Sequence, residues 1–285
     1  MAHRRLLVAL SALALTAVVV LLLVRGKGSP SQPTHPSLDA SYTKLVWSDE
    51  FNGPAGSAPS ASKWRHDVGA YGAPDDELET YTDSLANASL DGNGNLAIVA
   101  RRQTLTGPDG LTRNYTSARL ETLGLFSVKY GLIEARMKVP AGTGLWSAFW
   151  MLGDDITSVG WPASGEIDVT EVLGQDPFTY RTTIHGPGGR SGYSLGQNLK
   201  VSSSLASQFN IYGVSWKPNS ITFLFNGTPW ATVTSSDLAS GQTWVFNKPF
   251  HLVLNLAVGG DYPGPPDSST QFPATLLVNW VRVYQ

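Results

Sequence analysis

The sequence contains no cysteine, and charged residues make up only 15% of it. The absence of cysteine excludes disulfides, a thiolate nucleophile and any cysteine-based zinc site. Stability must then come from an apolar core, and a chain of 285 residues is long enough to bury one. Helical periodicity is missing as well: beyond residue 24 no long segment repeats every 3.6 residues. Strong charge of either sign is also absent. The net charge is −2, and four basic residues fall within residues 1–40 against one acid, which leaves 16 basic and 21 acidic residues beyond, a balance of −5. That balance argues against a nucleic-acid partner, which needs a basic face, and suits a neutral polymer. No repeat of 20–50 residues is visible.

What is present is an address, a linker and a body. Residues 6–24 (LLVALSALALTAVVVLLLV) form an uncharged run of 19, preceded by His3, Arg4 and Arg5. At ~1.5 Å per residue a helix of this length spans about 28 Å, close to the hydrocarbon thickness of a bilayer. A positive start followed by such a run is an export signal, either a cleaved signal peptide or an uncleaved membrane anchor facing outward. No small-residue cleavage site ends the run, which favours the anchor. Residues 25–40, rich in Gly, Ser and Pro, read as a linker, and residues 41–285 as one domain. In this domain short apolar runs rich in β-branched and aromatic residues, such as 95–101, 130–139, 209–216, 220–227, 250–258 and 276–284, alternate with turn signals such as DGNGN, PAGTG and PGPPD. The expected fold is all-β: a jelly-roll sandwich of two antiparallel sheets with a concave cleft.

The segment SGEIDVTEVLG carries three acids, Glu166, Asp168 and Glu171, within an apolar strand. Side chains alternate along a strand, so Glu166 and Asp168 share a face while Glu171 would point into the core. An unpaired buried carboxylate is very costly. One extra residue, a β-bulge at Val169–Thr170, turns Glu171 back to the face of the other two. Two carboxylates about 5–5.5 Å apart are what a retaining glycosidase uses as nucleophile and acid/base. The bland alternative is a solvated edge strand with three harmless acids.

The runs GLWSAFWMLG (144–153), GEIDVTEVLG (165–174) and TIHGPG (183–188) weigh against that alternative, because together they resemble glycoside hydrolase family 16 in its laminarinase branch. The segments WSDEFNG, DELETYT, DGNGNLAIVARR, YTSARLET, YGLIEARMKVPAG, YGVSWKPNSITFLFNG and LNLAVGG extend the resemblance over about residues 43–285. It implies a retaining, endo-acting β-1,3-glucanase with Glu166 as nucleophile, Glu171 as acid/base and Asp168 tuning both. No cofactor is implied for catalysis, and a monomer binding polysaccharide is expected.

The same resemblance nominates substrate contacts. Trp146 and Trp150, four apart on one strand face, stack on sugars or else pack in the core. Arg119 contacts sugar or makes an ion pair with Glu121 or another acid. His185 is expected in the cleft, whereas His66 and His251 read as structural. Glu77 is nominated for distal subsites, and Asn255 either faces the cleft or satisfies backbone. Loops 153–163 and 259–269 are expected to shape the cleft ends. Relatives often hold a structural Ca²⁺, for which the ligands here would be near Glu50, Gly92 and Asn279; an amide where the family often has Asp weakens such a site. The sequons at Asn87, Asn114 and Asn226 are expected in surface loops. A transglycosylase, a hydrolase of another glucan or galactan, and a non-catalytic glucan-binding protein are the competing functions.

Overall fold

Period-two alternation in the sequence becomes alternation of burial in the structure, a computed structural model that describes residues 42–69 and 75–285. The apolar run 6–24, the linker 25–40 and residue 41 lie outside the described residues. Among the described residues no helix is long and apolar enough to cross a membrane. The strands are, in chain order, β1 (Leu45–Asp49), β2 (Arg65–His66), β3 (Glu79–Tyr81), β4 (Ala88–Leu90), β5 (Leu96–Thr106), β6 (Thr112–Ser117), β7 (Arg119–Glu121), β8 (Gly131–Lys138) and β9 (Leu145–Gly153). After a single turn of helix, α1 (Ile156–Val159), come β10 (Glu166–Leu173), β11 (Thr179–Gly186), β12 (Tyr193–Lys200), β13 (Asn210–Lys217), β14 (Ser220–Phe225), β15 (Thr228–Thr234), β16 (Phe250–Val258) and β17 (Ala274–Tyr284).

Two sheets result. The larger runs β15-β14-β13-β8-β17-β5-β6-β3, with β1 added to β17 and β4 to β5; the smaller runs β12-β11-β10-β9-β16-β7-β2. Hairpins of consecutive strands, such as β13-β14-β15 and β9-β10-β11-β12, are joined by non-consecutive pairings such as β13-β8, β8-β17, β17-β5, β9-β16 and β16-β7, as a jelly roll requires. One pairing departs from the antiparallel expectation: β3 lies parallel to β6, with Glu79 opposite Tyr115. Phe149, Ile167, Leu252, Leu254 and Leu256 of the smaller sheet meet Ile98, Ile133, Val214, Phe223 and Val278 of the larger, all fully buried. Each such side chain contributes about 1.5–3 kcal/mol, so the sandwich stands without a covalent crosslink.

The bulge sits on β10. Against β9, Asp168 pairs with Trp150, Thr170 with Phe149 and Glu171 with Ala148, so Val169 has no partner there. Against β11, Asp168 pairs with Thr183 and Glu171 with Arg181. Two residues thus oppose one, and Glu171 rejoins the outer face while Val169 and Val172 stay in the core. The interruption leaves the Val169 carbonyl out of the ladder, and the buried Tyr180 hydroxyl donates to it at 2.7 Å.

One sequence expectation, the placing of the sequons, is corrected here. Asn87 is not in a surface loop. Its side chain is buried, accepting from Thr82 Oγ1 and donating to Val99 O and Thr116 Oγ1. Asn114 is exposed but lies on β6, and only Asn226 occupies an exposed turn. The side chains of the residues named for calcium are engaged within the protein. Glu50 offers its two carboxylate oxygens to Arg282 at 2.9 and 2.8 Å. Asn279 Oδ1 accepts from Arg136 at 2.7 Å, and its amide nitrogen donates to Gly94 O and Asn95 Oδ1. Gly92 stands in a turn with φ +79°, packed on Ala55.

Replacing Tyr180 by Phe strips the hydroxyl from the bulge carbonyl and leaves a buried acceptor unsatisfied. A loss of about 1–3 kcal/mol is expected, read as a lower urea midpoint with an unchanged denaturant slope.

Candidate active site

The register of the smaller sheet arranges its outer face in rows. One row reads His185, Glu166, Leu152 and His251 across β11, β10, β9 and β16. The next reads Thr183, Asp168, Trp150, Val253 and Glu121. The third, across the bulge, reads Arg181, Glu171, Ala148, Asn255 and Arg119. The three acids of β10 therefore point out of the same face, with Trp146 and Trp150 beside them on β9.

Glu166 Oε2 accepts a hydrogen bond from the indole of Trp161 at 2.7 Å. Asp168 lies 3.0 Å from His185 Nε2, and His185 Nδ1 meets Ser194 Oγ at 2.7 Å. Burial raises the Glu166 carboxyl well above the carboxylate range, and the facing Asp168 adds to this; His185 and Trp161 oppose. Asp168 is also pushed up by burial, with the hydrogen bond to His185 pulling against it. Burial alone would lower His185, but the bond to Asp168 and the charges of Asp168 and Glu166 overcome it and carry the imidazole to about 9. Burial lifts Glu171 to about 7, reinforced by Glu166, while the Trp146 indole and Arg181 hold it down. Three crowded acids cannot all ionise; the cluster titrates as a unit.

One ligand atom each from Glu166, Asp168 and His185 falls within 4.8 Å of the others, a spacing open to a metal. The protonated imidazole has no lone pair to give, however, so the closeness is that of an ion pair and a shared proton.

The structure brings most nominated residues to this face. Trp150 Nε1 donates to Asn255 Oδ1 at 2.8 Å, and the Arg119 guanidinium lies 4.6 Å from the Trp150 ring centroid. Of the two readings of Asn255, the register gives the cleft face, where its side chain bonds not backbone but Trp150 on one side and the Tyr81 hydroxyl on the other at 3.0 Å. Of the two readings of Arg119 the structure shows the ion pair, made with Asp67 at 3.1 Å while Glu121 pairs with Arg65, and its guanidinium also covers the Trp150 ring. Glu77 sits farther along, beside Asp75 and Arg119, on a cavity of about 370 Å³ shared with Leu78, Arg113 and Tyr115. His251 is fully buried against Asp154, and His66 contacts Thr82 O.

Four residues escaped the sequence reading. Trp161 and Tyr262 come from the two cleft-end loops; Tyr262 packs edge-on against Trp146 with centroids 5.2 Å apart, and Trp161 also meets the His185 ring at 5.9 Å. Arg181 stands opposite Glu171, and Ser194 orients His185. The only local signal was the aromatic residue inside each Gly/Pro-rich loop.

Replacing Asp168 by Asn removes the anion that holds the imidazole proton. The His185 ring, titrating near pH 9 in the native protein, is expected to fall to 6.5 or below, read from its NMR shifts against pH. A histidine raised in this way adds stability that is fully present below pH 6.5 and lost as pH rises through about 9.

Comparison with known proteins agrees with this geometry. A model of glycosyl hydrolases family 16 matches residues 80–282. A β-glucanase of Rhodothermus marinus is 36% identical over 255 residues, covering 86% of this chain and 86% of that protein. The laminarinase catalytic domain of Thermotoga maritima superposes with a TM-score of 0.79 at 40% identity, over 85% of this chain and 98% of that one. The endo-β-1,3-glucanase of Pyrococcus furiosus gives 0.77 at 43% identity, over 85% and 94%. A bulged strand presenting paired glutamates among indoles, on a jelly roll that matches these proteins along most of their length, places the chain in glycosyl hydrolase family 16 as a glycoside hydrolase.

Proposed function

We propose that this protein hydrolyses β-1,3-linked glucan at internal bonds, with retention at the anomeric carbon. The observation that carries the reading is the bulge of β10, which turns Glu166 and Glu171 to one face on either side of Asp168. The relatives named β-glucanase, laminarinase and endo-β-1,3-glucanase support the substrate. The apolar run 6–24 supports export, with the domain outside the membrane.

The chemistry follows from where protons sit. Glu171, lifted to about 7, is a carboxylic acid in neutral or mildly acidic solution and protonates the glycosidic oxygen as the bond to the anomeric carbon breaks. Glu166 shares a hydrogen bond with Asp168, and in the empty cleft burial keeps a proton on it. Transfer of that proton to Asp168 frees the Glu166 carboxylate to attack the anomeric carbon, with the Trp161 N–H on its second oxygen. The His185 cation stabilises whichever of the two acids carries the charge. Glu171, now ionised, then takes a proton from water, which hydrolyses the glycosyl-enzyme and restores the starting states. Trp146, Trp150 and Trp161 present apolar rings to the sugar faces.

Incubation with laminarin should release reducing ends, and Glu166→Gln and Glu171→Gln should each lower kcat by about 10³-fold or more, the scale of losing a nucleophile or a general acid. Inertness on laminarin with activity on mixed-linkage glucan or agarose would overturn the substrate and keep the mechanism. Binding without cleavage of any of the three would sink the hydrolase.

Rate should decline as pH rises through about 7, because Glu171 then loses the proton it must donate. Trp146→Phe removes the indole that favours the ionised form, so the alkaline limb of the pH–rate profile should move to higher pH; an unmoved limb would separate Trp146 from Glu171.

A further inference from the structure

From the cleft face of the smaller sheet a line of hydrogen bonds leads to a buried acid that the reaction does not use. Glu79, on β3, is 2% exposed. Its Oε2 accepts from the Val258 N–H of β16 at 2.7 Å, and its carboxyl bonds the Tyr81 hydroxyl. Tyr81 Oη accepts from Asn255 Nδ2 at 3.0 Å, and Asn255 Oδ1 accepts from Trp150 Nε1 at 2.8 Å. The line therefore runs from an indole beside the catalytic acids, through an amide and a phenol, to a carboxyl that ties β3 to β16. Trp150–Asn255 and Asn255–Tyr81 join residues far apart in the chain, Tyr81 and Glu79 are two apart on β3, and none of the links is backbone ladder.

A buried carboxyl is costly unless its bonds are satisfied. Here burial, with the charge of Glu77 adding to it, raises Glu79 to about 8, against the bonds from Val258 and Tyr81. The groups facing it are Glu77 from its own segment, Tyr81 on the same strand, Tyr115 opposite on β6, and Arg119 of β7, which acts on Glu77 and Tyr81. The β16 side contributes only the Val258 amide and, through Tyr81, Asn255. A neutral carboxyl can donate as well as accept, and so can hold the Tyr81 hydroxyl in one orientation. That orientation fixes the amide of Asn255, and the amide fixes the plane of the indole.

We propose that Glu79 is a positioning residue for Trp150, acting through Tyr81 and Asn255 to hold the ring in the plane in which a sugar stacks on it. The proposal rests on the reading of this cleft as a glucan site. An indole released from Asn255 keeps its apolar face but must be ordered anew by each substrate, which weakens binding more than chemistry.

The test compares Glu79→Leu, Tyr81→Phe and Glu79→Gln with the native enzyme, in kinetics on laminarin and in the ¹H–¹⁵N resonance of the Trp150 indole, assigned by its loss in Trp150→Phe. Glu79→Leu and Tyr81→Phe should raise KM about 5- to 10-fold with kcat within about twofold, as expected for lost preorganisation, and should shift the indole resonance. Glu79→Gln, which keeps both donor and acceptor, should restore KM to within about twofold of native. The resonance should titrate near pH 8 in the native protein and stay flat in Glu79→Gln. Native KM with an unmoved indole in the folded variants would overturn the proposal, as would a KM effect that Glu79→Gln does not rescue. If Glu79→Leu fails to fold, Tyr81→Phe cuts the same line with a smaller change. Should the native enzyme leave laminarin intact, the substrate reading fails, and the indole resonance still decides the role of Glu79.

Discussion

A strand has two faces, and nothing in its regular geometry lets residues five apart share one. The face that carries Glu166, Asp168 and Glu171 depends on breaking that parity once. Val169 and Thr170 together oppose a single residue of β11, and the break returns Glu171 to the side of Glu166 and Asp168. Without it the second glutamate would enter a core lined by Phe149, Val169 and Leu254, where an ionisable group is costly. The extra residue also interrupts the register, and the Tyr180 hydroxyl donates to the Val169 carbonyl there. Geometry, solvation and chemistry thus meet at one two-residue irregularity.

The electrostatics follow from the same placement. Acids crowded on a dry face compete for protons, and each rises out of the range in which surface carboxylates titrate. Cations are placed so as to separate their roles. His185 serves Asp168 directly, and Arg181 moderates Glu171 from across the strand pair. The result is one acid ready to give a proton near neutrality and a coupled pair between which another proton can move.

The strands were legible in the sequence because alternation is a local property, and the runs at 250–258 and 276–284 became β16 and β17 nearly residue for residue. The bulge was legible too, since three acids in an apolar strand leave parity only one inexpensive solution. What escaped depends on contacts distant in sequence. Nothing near Asn279 announces that Arg136 will claim its oxygen, 143 residues away. Asn87 reads as a sequon until β6 supplies Thr116. Trp161 and Tyr262 lie in loops whose course is set by glycines and prolines, so periodicity says nothing about where their rings go. Asn255 posed a choice between cleft and backbone; it stands on the cleft face, but its partners on β9 and β3 are too distant in sequence to be read from its neighbours.

Tyr180 reaches further than the bulge. Its oxygen lies 2.7 Å from the Val169 carbonyl of the smaller sheet and 3.3 Å from the Leu224 carbonyl of the larger, and its ring is wedged among Tyr212, Phe225 and Trp230. The catalytic strand is thereby pinned through the whole thickness of the sandwich. Opening of β10 near its bulge requires the two layers to part, so its backbone amides belong to the last set to exchange with solvent, on the scale of global unfolding rather than local breathing. The most irregular stretch of the sheet is in this way also among its most rigid.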